Sequence, residues 1–213
     1  MNLRAEDFYT QRNNEWDDLN TPYHESVAGC GPSFRAMFYQ GNNLPFKNNS
    51  FSIMGEHLSD DDFIMYLMRT PEAFEYAEKH FPVLAKDYPP NEIHDMYPNW
   101  LDVKLFGQRV SDFHNDGLTY EYAITLINEG KIIGVTGKYP EANINGHFQG
   151  FAGIHDGVLL LVDPYGDYRN NYKPVTYVKG KPKYGGFGIP MSEEDFDKHL
   201  KWGVTKAYHE PII

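Results

Sequence analysis

The sequence predicts an α+β fold, helical first and β-rich afterwards. Two patterns carry that prediction. Up to Gly130, apolar residues recur at helical spacing, and several runs open on a capping residue or close on glycine. From Ile132 onward, apolar and β-branched runs separated by Gly, Asp and Pro turns replace that period. Bulk composition adds a third observation. With 213 residues, 41% of them hydrophobic, and no repeat or low-complexity linker, the chain reads as one domain over residues 1–213 with a sizeable core.

Each element follows from its residues. Phe34, Met37 and Phe38 fall at i, i+3 and i+4, so a helix spans 33–40 and stops at Gly41. Ser59 followed by Asp60, Asp61 and Asp62 opens a helix over 59–69, with the acids at its positive end. Thr70 caps a helix over 71–80 with Pro71 at the first position, and Asn91 caps one over 91–97. Tyr120, Ala123, Ile124 and Ile127 share a face of a helix over about 119–129, stopped by Gly130. Strands are expected at 132–136, 148–154, 158–163 and 172–178, then a short helix opened by Ser192 and a closing strand over 202–208.

The chain has one cysteine, Cys30, in the run Ala28-Gly29-Cys30-Gly31-Pro32-Ser33. A thiol at a helix N-terminus faces unpaired N–H groups and the positive end of the helix dipole, a setting that favours the nucleophilic thiolate. A lone cysteine is also commonly a small buried hydrophobe, so Cys30 needs a partner before it counts as a nucleophile. The second half offers one. His147 starts the run Phe148–Ile154, His155-Asp156-Gly157 is a turn, and Val158–Val162 leads back to Asp163. His147 can act as base and Asp163 can orient it, provided both face the same side of the hairpin. A two-residue turn sets Gly150 opposite Asp163 and separates the pair. A three-residue loop, with Gly157 left-handed, sets Gln149 opposite Asp163 and unites them, so that loop is the expectation.

With those residues in view, the chain resembles the papain-like cysteine peptidases, in the family 39 branch and its phage and bacterial group. The matching runs are Phe8-Tyr9-Thr10-Gln11-Arg12-Asn13-Asn14, Cys30-Gly31-Pro32-Ser33, Pro90-Asn91-Glu92-Ile93-His94, Gly146-His147 and Asp163-Pro164-Tyr165-Gly166-Asp167-Tyr168. The resemblance implies a helical half carrying Cys30, an antiparallel sheet half carrying His147 and Asp163, and a cleft between them. It also implies that Gln11 supplies the oxyanion-hole amide, alongside the Cys30 backbone N–H. Gln11 stands 19 residues before Cys30, a longer gap than in the archetypal papain enzymes. His147 follows Cys30 by 117 residues, farther than in the compact cell-wall cysteine hydrolases.

The function implied is amide-bond hydrolysis through an acyl-enzyme. Members of the phage-type group commonly cleave peptidoglycan, so the expected substrate is a bacterial cell-wall peptide. A protein- or leader-peptide-processing peptidase is the alternative, and an inactive papain-fold binding module the second. A transglutaminase-like acyl transfer shares the Cys/His/Asp order. No cofactor or metal is expected, because thiolate and amide donors supply the chemistry and no zinc-type His or Cys spacing occurs. The formal charge of −11 argues against nucleic acid as a partner. No apolar run suggests membrane insertion and no signal peptide opens the chain. Synthesis in the cytoplasm is therefore expected, with release through a phage holin or carriage in a virion.

Overall fold

The computed structural model describes residues 29–46, 52–53, 56–57, 59–142, 144–173, 176–178, 181–183, 185–200 and 206–212. Its architecture mixes helices with antiparallel sheet. The helices are α1 (Cys30–Gly41), α2 (Asp60–Met68), α3 (Pro71–His80), α4 (Asp102–Phe106), α5 (Tyr120–Asn128) and α6 (Glu193–His199). The main sheet is built from β3 (Ser111–His114), β4 (Ile133–Tyr139), β5 (Ile144–His155), β6 (Val158–Val162), β9 (Phe187–Met191) and β10 (Tyr208–Pro211), in the order β3-β10-β4-β5-β6-β9. Every neighbouring pair in it is antiparallel. Two small hairpins stand apart: β1 (Ser52–Ile53) with β2 (Glu56–His57), and β7 (Thr176–Val178) with β8 (Lys181–Lys183).

Helices cover both faces of the main sheet. On one, Phe34, Met37 and Phe38 of α1, with Ile64 and Met68 of α2, pack over Phe148, Ala152 and Val162. On the other, Leu126 and Ile127 of α5 and Phe196 of α6 pack over Ile133, Val135, Phe151, Leu159, Leu161 and Met191. The strands alternate between these two cores, as a sheet buried on both faces requires. α1 lies deepest. Residues 31–39 are all buried, because α2 covers one side and β5 the other. Phe34 seats the helix on the sheet, and its ring lies over the paired glycines Gly134 and Gly150. A Cβ at Gly150 would stand 2.2 Å from that ring and 2.3 Å from the Ile133 carbonyl, so this approach needs glycine.

Buried polar residues along α1 are paired. The Arg35 guanidinium meets Asp102 at 2.6 Å, both fully buried. Tyr39 and Ser111 donate to the same carboxylate, each at 2.6 Å, and the Val110 N–H at 3.1 Å. The Arg35 guanidinium also lies over the Phe38 ring at 4.4 Å. At the head of α2 the Ser59 hydroxyl is shared between the Asp61 and Asp62 carboxylates instead of capping a first-turn N–H, and the three acids sit at the positive end of the helix dipole.

Several expected elements are in place: α3 capped by Thr70 with Pro71 behind it, α5 capped by Thr119, and α6 capped by Ser192. Others are corrected. The helix expected over 91–97 is absent. Pro90–Glu92 forms a single 3-10 turn, Ile93 is extended, and a wide-turned π stretch over Tyr97–Leu101 runs into α4. Pro98 suits the start of that stretch, where its missing N–H costs nothing. The strand expected over 172–178 is confined to Thr176–Val178, since Tyr172 ends a turn with φ 57°. The closing strand is Tyr208–Pro211; of the expected 202–208, residues 202–205 lie outside the described residues. β3 and β9 were not anticipated, because Ser111–His114 and Phe187–Met191 are short and lack regular alternation.

Candidate functional site

Cys30 is the first residue of α1, half-buried and free. Gly29 precedes it at φ −82°, ψ −9°, and its carbonyl accepts from the Ser33 N–H at 3.0 Å. Gly29 offers no side-chain cap and no acid lies in the first turn, so only the Cys30 and Gly31 N–H groups are left without an intrahelical partner at this end. Gly31 allows the helix start to press against its neighbours. A Cβ there would stand 2.2 Å from the Tyr97 hydroxyl and 3.0 Å from the Asn91 carbonyl. Tyr97 is itself fixed by donating to that carbonyl at 2.8 Å. Gly31 below and Phe34 one turn further on thus hold the thiol in place.

His147 and Asp163 come from the β5–β6 hairpin, by a route the sequence did not suggest. The expected three-residue loop is not formed. His155 pairs with Val158 around a two-residue turn, with Asp156 at φ 49° and Gly157 at φ 79°. Two successive positive φ values match the turn type that fits the twist of paired strands. Regular pairing from that turn would leave His147 and Asp163 on opposite faces. A β-bulge prevents it. Gly153 pairs with Leu160 but Phe151 pairs with Leu161, which leaves Ala152 without a partner. The extra residue shifts the register by one, so Gln149 falls opposite Asp163 and His147 lies on the same face.

The two side chains meet directly. His147 Nε2 lies 2.5 Å from Asp163 Oδ1. Asp163 Oδ1 also accepts from the Tyr165 N–H at 2.8 Å, and Oδ2 from the Tyr172 hydroxyl at 3.3 Å. The backbone N–H of Asp163 donates to the Gly186 carbonyl at 2.7 Å, which anchors the end of β6. Cys30 lies near enough to His147 to favour its charged form. With Nε2 taken by Asp163, the ring's Nδ1 is the nitrogen left for another partner. Burial opposes charge on the imidazole. The Asp163 charge and hydrogen bond, with Cys30 behind them, outweigh it and lift the His147 pKa to about 10. At neutral pH the ring therefore carries a proton between a carboxylate and a sulfur.

Aromatic rings enclose this histidine. Tyr139, Tyr165 and Tyr172 present edges to it, at centroid distances of 6.3, 5.8 and 6.2 Å. Gln149 donates to the Tyr139 hydroxyl. None of these neighbours was singled out from the sequence. Gln149 carried a signal, standing two residues after His147 on one strand face. Tyr139 and Tyr172 carried none. Asp167, in the same motif as Asp163, instead caps the turn over Tyr168–Asn170 and pairs with Arg169. Gln11 lies outside the described residues.

A second polar cluster joins His94 to the sheet. His94 Nδ1 is 3.1 Å from His209 Nε2, and His94 Nε2 is 3.2 Å from the Thr136 hydroxyl. Burial holds both imidazoles neutral, lowering His94 to about 4 and His209 further. Phe113 and Phe148 stack on the pair, so it is part of the packing between Ile93–Asp95 and the sheet.

Among the described residues no three His, Cys, Asp or Glu side chains are grouped to hold a metal ion, and no helix is long and apolar enough to cross a membrane. Comparison of the chain with protein-family models, with curated proteins and with solved structures gives no match in any of the three. Function therefore has to be argued from the site.

Proposed function

We propose that this chain is a cysteine-dependent amide hydrolase of papain-like type, acting through a Cys30–His147–Asp163 triad. One observation carries the reading: a single buried imidazole is bound by a buried carboxylate, with a helix-start thiol close enough to act on its charge. That is the arrangement a nucleophile, its base and an orienting group require. In the proposed reaction the Cys30 sulfur attacks the carbonyl carbon of an amide. The oxyanion that forms is met by the Cys30 backbone N–H, with Gln11 as its proposed second donor. His147 then passes its proton to the leaving amine as the C–N bond breaks, giving a thioester. Water attacks the thioester with His147 taking its proton, and the acid product leaves with the thiol restored. Asp163 keeps the ring oriented and offsets its charge throughout.

For substrate we propose the peptide part of bacterial peptidoglycan, cut in the stem or at its amide bond to the sugar. The support is the set of motifs shared with phage-type lysins. The test is digestion of purified sacculi from several bacteria by wild type and Cys30→Ala, read by mass spectrometry beside a casein control and a chelator control. The expected result is new peptide or amine ends with wild type alone, unaffected by chelator. Cleavage by the alanine variant would remove Cys30 as nucleophile. Efficient cutting of protein with intact sacculi would replace the lysin reading with a processing peptidase.

A further inference from the structure

The loop leaving β6 starts at Asp163 and returns to it. After the Tyr168–Asn170 turn, Asn171 and Tyr172 both adopt left-handed backbone, with φ 59° and 57°. Two such residues in succession are uncommon, and for a side chain as bulky as tyrosine this conformation is an outlier. It is held in place by local bonds: the Asn171 N–H donates to the Tyr168 carbonyl at 2.9 Å and the Tyr172 N–H to the Asp167 carbonyl at 3.0 Å. The outcome is a buried phenol directed at the carboxylate. Tyr172 is 4% exposed, and its hydroxyl donates to Asp163 Oδ2.

Behind Tyr172 stands the Tyr139 ring, edge to face with centroids 5.6 Å apart, and the Tyr139 oxygen accepts from Gln149 Nε2. Gln149, Tyr139 and Tyr172 are all buried around the carboxylate, and Tyr172 gives it its proton. Both phenols are pushed well above their ordinary pKa, by burial first and then by Asp163, so each keeps its proton and stays a donor. With Oδ1 held by His147 and the Tyr165 N–H, and Oδ2 held by Tyr172, the carboxylate cannot turn without losing a bond.

We propose that Tyr172, backed by Tyr139 and Gln149, is a positioning residue that fixes the orientation of Asp163 and through it the basicity of His147. The proposal rests on the triad reading above, and its test separates the two. Cys30 is the only cysteine, so the pH dependence of alkylation by iodoacetamide reads the Cys30–His147 pair in the intact chain without a substrate. Wild type should react fast well below the ordinary thiol pKa of about 8.5. A wild-type profile that follows an ordinary thiol would overturn the triad itself.

Given a reactive wild type, Tyr172→Phe keeps the ring and removes the donor. A looser Asp163 holds the imidazolium less well, so the acid limb of the profile should move to higher pH and the rate near pH 6 fall about tenfold. Tyr139→Phe should move that limb the same way, by less. Loss of packing alone would lower the melting temperature without moving the limb. A Tyr172→Phe profile that superimposes on wild type, or whose limb moves to lower pH, overturns the positioning role. If that variant does not fold, Tyr139→Phe decides, and an unchanged profile again overturns the proposal.

Discussion

His147 Nε2 and Asp163 Oδ1 lie 2.5 Å apart, with the imidazole 4% exposed and the carboxylate fully buried. A proton shared in that setting belongs to the folded state. The surrounding charges lift His147 from its ordinary 6.5 to about 10, so between those values the folded chain holds a proton that the unfolded chain releases.

Stability should therefore fall with rising pH through that window. The contribution of His147 is complete below pH 6.5 and is lost as pH climbs through about 10. Urea midpoints across a pH series would read it. His147→Gln, which cannot take the proton, should flatten the alkaline decline relative to wild type. An equally steep decline in the variant would mean that other groups cause it.

The Arg35–Asp102 pair offers a test of the packing along α1, the helix that begins at Cys30. Both side chains are fully buried, and Asp102 also receives Tyr39, Ser111 and the Val110 N–H. Asp102→Asn keeps the shape and strands the cation, which should cost about 3–5 kcal/mol, as breaking one side of a buried pair usually does. Denaturant unfolding would measure it. A loss below about 1 kcal/mol would show that the guanidinium reaches water or another acceptor.

Gly31→Ala should damage the site through its floor. The added methyl would sit 2.2 Å from the Tyr97 hydroxyl, so α1 must shift at the residue next to Cys30. Overpacking of this kind costs about 1–3 kcal/mol, and turnover should fall with stability. Adding Tyr97→Phe removes the offending oxygen and should restore more than half of both losses. No recovery in the double variant would place the strain elsewhere.

Much of this site was legible in the chain. Cys30 before a helical run, and His147 and Asp163 flanking a hairpin, each declare themselves by residue type and spacing. The register that unites them did not. One unpaired residue settles it, and Ala152 differs in no local way from its neighbours in the sequence. The same holds for Tyr172. Nothing in Arg169-Asn170-Asn171-Tyr172 signals a tyrosine in left-handed backbone, because the bonds that hold it there join main-chain groups, which no side-chain type announces. Helices opened by Thr70 and Ser192 were legible because a cap is a local bond, and α5 because its apolar face repeats at helical spacing. The π stretch over Tyr97–Leu101 was not, since its boundaries follow from packing against the sheet rather than from periodicity.

The enclosure of α1 has a consequence for biosynthesis. Its helix is sealed by α2 and, on the other side, by β5, a strand that leaves the ribosome long after Cys30 does. Contacts of such sequence separation form late and slowly, because the intervening chain must be ordered first. Until β5 has docked, Cys30 lacks its His147 neighbour and α1 lacks one of its two walls. On the proposed triad reading, a chain that stops short of β5 should therefore be inactive.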